Sequence, residues 1–176
     1  MKLEIVDQRP QPIPLPLSAE PLAALLAPLG RADWVVNLVL VEDHVMADLN
    51  TRWYGGEGPT DVLSFSYLEV DGPATPQLRA GEGEAARDCW VAIGDQEPEV
   101  TAGEVIVAPA FVADRCRRED WDLETEWALL VVHGALHILG WEHGTDEARR
   151  AMRAREAAQL QRQGFVHPLA ETGPEA

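Results

Sequence analysis

The chain has 176 residues, 46% of them hydrophobic, with 14 basic against 30 acidic side chains and a formal net charge of −16. That length fits one domain with a sizeable core, and a total of two cysteines excludes a disulfide scaffold. The charge excludes binding nucleic acid through an overall basic field, so such a partner needs a local basic face.

Residues 2–7 alternate apolar and polar side chains and predict a strand, which begins at the N-terminus with no signal-peptide pattern. The proline run over 10–16 disfavours helix and strand ladder alike and reads as a linker. Ser18 caps a helix carrying Leu22, Leu25, Leu26 and Leu29 and closed at Gly30. An apolar strand over 33–41 precedes a helix over about 43–53 and a glycine-rich turn. Pro59-Thr60-Asp61 leads into a strand over 62–67. Residues 69–102, rich in glycine, proline and acids, read as a long surface insertion in which 89–93 can add a strand. A short strand over 103–107 follows, then helices over about 109–118, 123–139 and 145–163, the last capped by Thr145.

These elements predict a single domain over 1–167 with a disordered tail over 168–176. The fold class is α+β: a small mixed β-sheet packed against several helices, with a central buried helix carrying two metal-ligand histidines. No stretch reaches the roughly 18 consecutive apolar residues of a membrane span. Cys89 and Cys116 lie far apart in no ligand spacing and read as free thiols of a reducing, cytoplasmic setting.

Three of the five histidines fall in the run His133-Gly-Ala-Leu-His137-Ile-Leu-Gly140-Trp-Glu-His143. A separation of four residues projects His133 and His137 from one helix face. Gly140 ends the helix by taking the left-handed conformation, after which the chain curls back to present His143. Three imidazoles with no fourth protein ligand in sequence describe a zinc site with one open position. The segment from Trp127 is apolar nearly all round, as in a buried helix, while Glu124 and Glu126 read as helix-start charges.

The spacing His-x-x-x-His-x-x-Gly-x-x-His is shared with the metzincin peptidases, where a glutamate after the first histidine acts as general base. Here that position is Gly134. Peptide hydrolysis by that scheme lacks its base, although a metal alone lowers the pKa of bound water to about 7.

A second set of motifs surrounds the histidines: Leu49-Asn50, Pro59-Thr60-Asp61-Val62-Leu63-Ser64-Phe65 and Gly103-Glu104-Val105-Ile106-Val107. With the histidine run, these make the chain resemble the bacterial YbeY family over most of residues 1–165. The resemblance implies a single-strand-specific, metal-dependent endoribonuclease of 16S ribosomal RNA 3′-end maturation and late-stage ribosome quality control. It implies one zinc ion on His133, His137 and His143, RNA (ribosomal RNA) as substrate, and the ribosome or its proteins as partners, with no membrane and no small-molecule cofactor. The family usually carries an arginine in the pattern Asn-x-x-Tyr-Arg; here Trp53 takes the aromatic position and Tyr54 the arginine position. Lysines usual in the next turn are replaced by Gly56, Glu57 and Gly58, and the 69–102 insertion is longer than the family's. Arg52, two residues before Tyr54, is a candidate stand-in for the arginine, and Asp61 and Ser64 are candidates for substrate contact, with no catalytic residue assigned.

The basic face has two sources: Arg115, Arg117 and Arg118, and Arg149, Arg150, Arg153 and Arg155. Most of these read as solvated helix faces paired with nearby acids. His44 and His167 read as surface or supporting residues rather than ligands, and Thr60 as a turn residue. Two routes to phosphodiester cleavage stay open, metal-activated water and the RNA 2′-hydroxyl with the metal stabilising charge. The alternatives to a nuclease are a zinc metallopeptidase-like hydrolase and a non-catalytic, metal-stabilised ribosome assembly factor.

Overall fold

A computed structural model describes residues 1–68 and 99–168 of the chain. In chain order the elements are β1 (Lys2–Asp7), α1 (Ala19–Leu26), β2 (Trp34–Leu40), α2 (Asp43–Tyr54), β3 (Val62–Ser66), β4 (Val100–Val107), α3 (Pro109–Glu119), α4 (Leu123–Ile138) and α5 (Asp146–Gln161). The four strands form one mixed sheet in the order β1-β2-β4-β3. β1, β2 and β4 run parallel, and β3 closes the edge antiparallel to β4. The α+β expectation holds.

The apolar run of β2 is explained by burial on both faces, the pattern of interior parallel strands. Val36, Leu38 and Leu40 point to one core with Val105 and Val107 of β4, shared with α1, α4 and α5. Val39 and Val41 point the other way, to a smaller core with Leu63, Phe65, Ile106 and Met46 of α2. The sheet is thus sandwiched, with α2 on one side and the helix layer centred on α4 on the other.

α4 is the buried helix its composition predicts, touching β3, β4, α1, α3 and α5. Trp127, Val131, Val132, Ala135, Leu136 and Ile138 are all essentially inaccessible, each large apolar side chain contributing roughly 1.5–3 kcal/mol by burial. Its N-terminus is capped by Asp122, whose carboxylate accepts from the Thr125 N–H at 2.8 Å. Small residues let it lie close on the sheet. A Cβ on Gly134 would stand 2.7 Å from Val105 Cγ1 and 2.9 Å from Ser64 Oγ, and one on Gly103 2.9 Å from Ile138 Cγ1 of α4. Ser66 Oγ donates to the Ile138 carbonyl at 2.8 Å, tying β3 to the end of α4.

Several boundaries differ from the sequence reading. α1 stops at Leu26, four residues before Gly30, and Ser18 holds the N-cap position without a side-chain bond. β2 spans 34–40 rather than 33–41, and β3 stops at Ser66, although the Tyr67 N–H still donates to the Ala102 carbonyl of β4. β4 begins at Val100, because its first residues find partners on Trp34 and Val35 of β2; the 69–102 insertion therefore ends earlier than expected. Thr145 caps α5 as expected, accepting from the Ala148 N–H, but the helix ends at Gln161 rather than 163. The strand expected over 89–93, Cys89 and nearly all of the expected disordered tail lie outside the described residues.

Candidate metal centre and its two cavities

α4 delivers His133 and His137 one turn apart, with their Nε2 atoms 3.2 Å from each other. Two nitrogens bound at about 2.0–2.1 Å to one tetrahedral ion stand about 3.3 Å apart, so this separation fits a shared zinc-sized cation. The helix ends in a Schellman turn: Gly140 takes φ 86°, its N–H donates to the His137 carbonyl, and the Trp141 N–H donates to the Leu136 carbonyl. That reversal returns His143 to the pair, its ring centroid 4.9 Å from His137 and 5.6 Å from His133. One ligand atom from each of the three lies within 4.8 Å of the others, so the trio can hold a metal ion. Arg149 of α5 reaches back to the His143 carbonyl at 3.5 Å.

The supporting residues come from α5 and the segment after it. Glu156 Oε1 lies 2.7 Å from His133 Nδ1, and its Oε2 lies 2.9 Å from His167 Nε2. Glu156 and His167 are both buried. A carboxylate accepts only, so His133 carries its proton on Nδ1 and turns the Nε2 lone pair toward the other imidazoles. Burial opposes ionisation of Glu156, but the bonds from His133 and His167 prevail and hold its carboxyl below the usual range. Burial, reinforced by the neighbouring His133 and His143, pushes His137 down to about 4, which keeps it neutral and able to bind a cation.

Two cavities meet at these histidines, and His133 and His143 line both. The smaller, about 370 Å³, is bounded by Asn50, Tyr54, Thr60, Ser64 and Glu142. Tyr54 donates its hydroxyl to the Ser64 carbonyl at 3.2 Å, and burial, with Glu142 nearby, pushes the phenol up. The larger, about 470 Å³, runs under α5 between Trp121, Glu126, Leu130, Met152 and Arg153.

The sequence candidates fall into distinct places. Arg52 is exposed and lines neither cavity. Asp61 is ion-paired with Arg115 and faces the larger cavity. Ser64 is buried at the smaller cavity, where its hydroxyl faces Gly134 across the sheet–helix contact. His44 is exposed beside Glu42, whereas His167 is buried against Glu156 rather than at the surface. Glu124 and Glu126 do stand in the first turn of α4, but Glu126 is also buried, 6% exposed, and lines the larger cavity. Arg117 and Arg149 do pair with acids one turn away, Asp114 and Asp146. Arg115, Arg149 and Arg153, from both expected clusters, converge on that cavity's wall.

Comparison with known proteins bears on the identity of this arrangement. The model of the family described as Endoribonuclease YbeY matches residues 22–164. Relatives with the same description include one from Saccharopolyspora erythraea, 38% identical over 66% of this chain and 55% of that protein. Another, from Nocardia farcinica, is 35% identical over 72% of this chain and 60% of that protein. A third, from Salinispora tropica, is 39% identical over 71% of each. The chain thus spans little more than half the length of the first two relatives. The solution structure of TM1509 from Thermotoga maritima bears a likeness at a TM-score of 0.49 and 21% identity, over 92% of this chain and 91% of that one. With the match running from α1 to the end of α5 and through all three histidines, the chain belongs to the YbeY family.

Proposed function

We propose that the protein is a zinc-dependent endoribonuclease that cleaves single-stranded ribosomal RNA, in 16S 3′-end maturation and ribosome quality control. It acts in the cytoplasm, with the ribosome or its proteins as partners and with no small-molecule cofactor. The observation that carries this reading is the convergence of His133, His137 and His143, with the Glu156 carboxylate on the far nitrogen of His133, in a member of a family described as endoribonucleases.

In this reading the three imidazoles are the zinc ligands, and the ion supplies Lewis acidity toward a phosphate oxygen and a water pKa of about 7. The chain's own residues do the rest. Glu156 fixes the His133 tautomer, the Gly140 turn sets His143, and the exposure of His143 leaves the substrate side open. Asp61 and Ser64, which line the larger and the smaller cavity in turn, remain the substrate-contact candidates, whereas Arg52 lines neither. A peptidase-type base after His133 has no room, since any side chain on Gly134 would meet Val105 and Ser64.

The test is metal analysis of the purified protein, then cleavage of ribosomal RNA by wild type and His137→Ala. One zinc per chain is expected, with cleavage lost in the variant. Cleavage undiminished in His137→Ala overturns the proposal. Product ends separate the two routes: 3′-hydroxyl ends exclude attack by the 2′-hydroxyl, and cyclic or 3′-phosphate ends support it.

A further inference from the structure

The larger cavity holds features that the metal centre does not use. Its inner wall is apolar, formed in part by Val62, Leu130 and Met152. Trp121 stands at its edge, 41% exposed. Arg115 lies over the Trp121 ring, 4.6 Å from its centroid, and is anchored by its ion pair to Asp61. The guanidinium therefore covers one face of the indole, and the stacked pair forms one wall of the cavity. Arg149 and Arg153, both exposed, stand on the α5 side. Arg115 is paired with Asp61 and Arg149 with Asp146, and Asp61, Glu126 and Glu156 line the same cavity, so Arg153, with no ion pair to another described residue, is the arginine that offers its charge to a phosphate-bearing ligand.

Glu126 is the informative group. It is more than nine-tenths buried and lines the cavity. Burial pushes its carboxyl up, opposed by the nearby charges of Arg115, His167 and His133. Its carboxyl oxygens are not among the buried polar atoms shut away without a partner, so they open on the cavity, where a bound molecule can donate to them. Glu156 and His167, by contrast, satisfy each other.

We propose that this cavity is a nucleobase subsite of the RNA substrate, guanine foremost, with the Trp121–Arg115 wall stacking the base and Glu126 accepting from its N–H edge. The inference rests on the endoribonuclease reading above. An apolar inner wall suits the faces of a base and not a free phosphate, and about 470 Å³ falls in the roughly 300–1,000 Å³ range of small-ligand pockets. Bases stack on aromatic rings and on guanidinium planes alike. Guanine presents two adjacent N–H donors that match two carboxylate oxygens, whereas uracil presents one. Because His133 and His143 line this cavity too, a base seated there places its own phosphate beside the three imidazoles.

The test is calorimetric binding of guanosine and uridine 5′-monophosphates to the zinc-loaded full chain, with ribose 5-phosphate as the baseless control. Guanosine monophosphate is expected to bind most tightly and ribose phosphate least. Trp121→Ala, at an exposed position, should weaken nucleotide binding about tenfold, within the range for loss of one base stack. Glu126→Gln should abolish the preference for guanosine over uridine, and mapped RNA ends should show the same preference in wild type. Where Glu126→Gln fails to fold, Trp121→Ala carries the test. Equal binding of ribose phosphate and both nucleotides, or binding untouched by Trp121→Ala, overturns the subsite. Nucleotide binding needs no cleavage, so failure of the nuclease reading shows separately, as RNA left intact by a protein that still discriminates the bases.

Discussion

Glu156 and His133, 23 positions apart, are joined by a 2.7 Å contact between Oε1 and Nδ1 that sets which nitrogen of His133 faces the other two imidazoles. On an ion held by the three imidazoles, the bond would act through His133 alone. Glu156→Gln should therefore lower zinc affinity about 10–100-fold, the usual cost of removing such a partner. Competition against a chromogenic chelator measures it. His167→Ala, one bond further out, should have a smaller effect in the same direction. An affinity unchanged in Glu156→Gln would show that the carboxylate does not orient the imidazole.

Gly134 lies where α4 presses on the sheet. Gly134→Ala should cost about 1–3 kcal/mol as overpacking, because the added methyl would stand 2.7 Å from Val105 Cγ1. The urea midpoint of unfolding reads this directly. Adding Val105→Ala should return part of the loss that the two single variants predict by summation. Strict additivity would place the strain elsewhere.

Gly140 takes φ 86°, a region in which an L side chain is strained. Gly140→Ala should lower stability by about 1 kcal/mol. It should also weaken zinc binding, since the turn that returns His143 passes through this residue. Loss of stability with unchanged zinc affinity would mean that His143 is positioned by α5 instead, through the Arg149 contact to its carbonyl.

The Asp7–Arg9 pair gives a pH signature. Arg9 is buried and bonds Asp7 through Nε and Nη2, at 2.9 and 2.7 Å. These side-chain bonds, set against partial desolvation, hold the Asp7 carboxyl below its ordinary 3.8. The native state thus keeps the carboxylate where the unfolded chain has begun to take up a proton. The contribution is complete above about pH 4 and is lost as pH falls through the lowered native value. At pH 7, Asp7→Asn should cost roughly 1.5–3 kcal/mol, and the gap from wild type should narrow below that window. Urea melts of both proteins from pH 7 down to 2.5 check it.

The legible parts of this protein are the ones governed by short spacing along the chain. A separation of four positions from His133 to His137 is about one helical turn wherever a helix forms, and Gly140 marks its end through its own backbone freedom. The apolar runs of β2 and α4 declare burial for the same local reason. Boundaries strayed where partners decide them: β4 starts early because Trp34 and Val35 of β2 are there to pair with it. Glu126 left a faint trace, since it precedes His133 by seven residues and so shares its helix stripe.

By itself, then, the sequence determined the three imidazoles, the turn that gathers them and the buried helix that carries two of them. Only the tertiary structure decided which residues serve those imidazoles. Glu156 and His167 reach the centre because α5 packs on α4 and the following segment folds over it, and the same packing opens the cavity that Glu126, Trp121 and three arginines surround. The physical reason is range. Helical spacing is fixed within a few bonds of the chain, whereas the burial and pairing of a charged side chain depend on which distant surface comes to cover it.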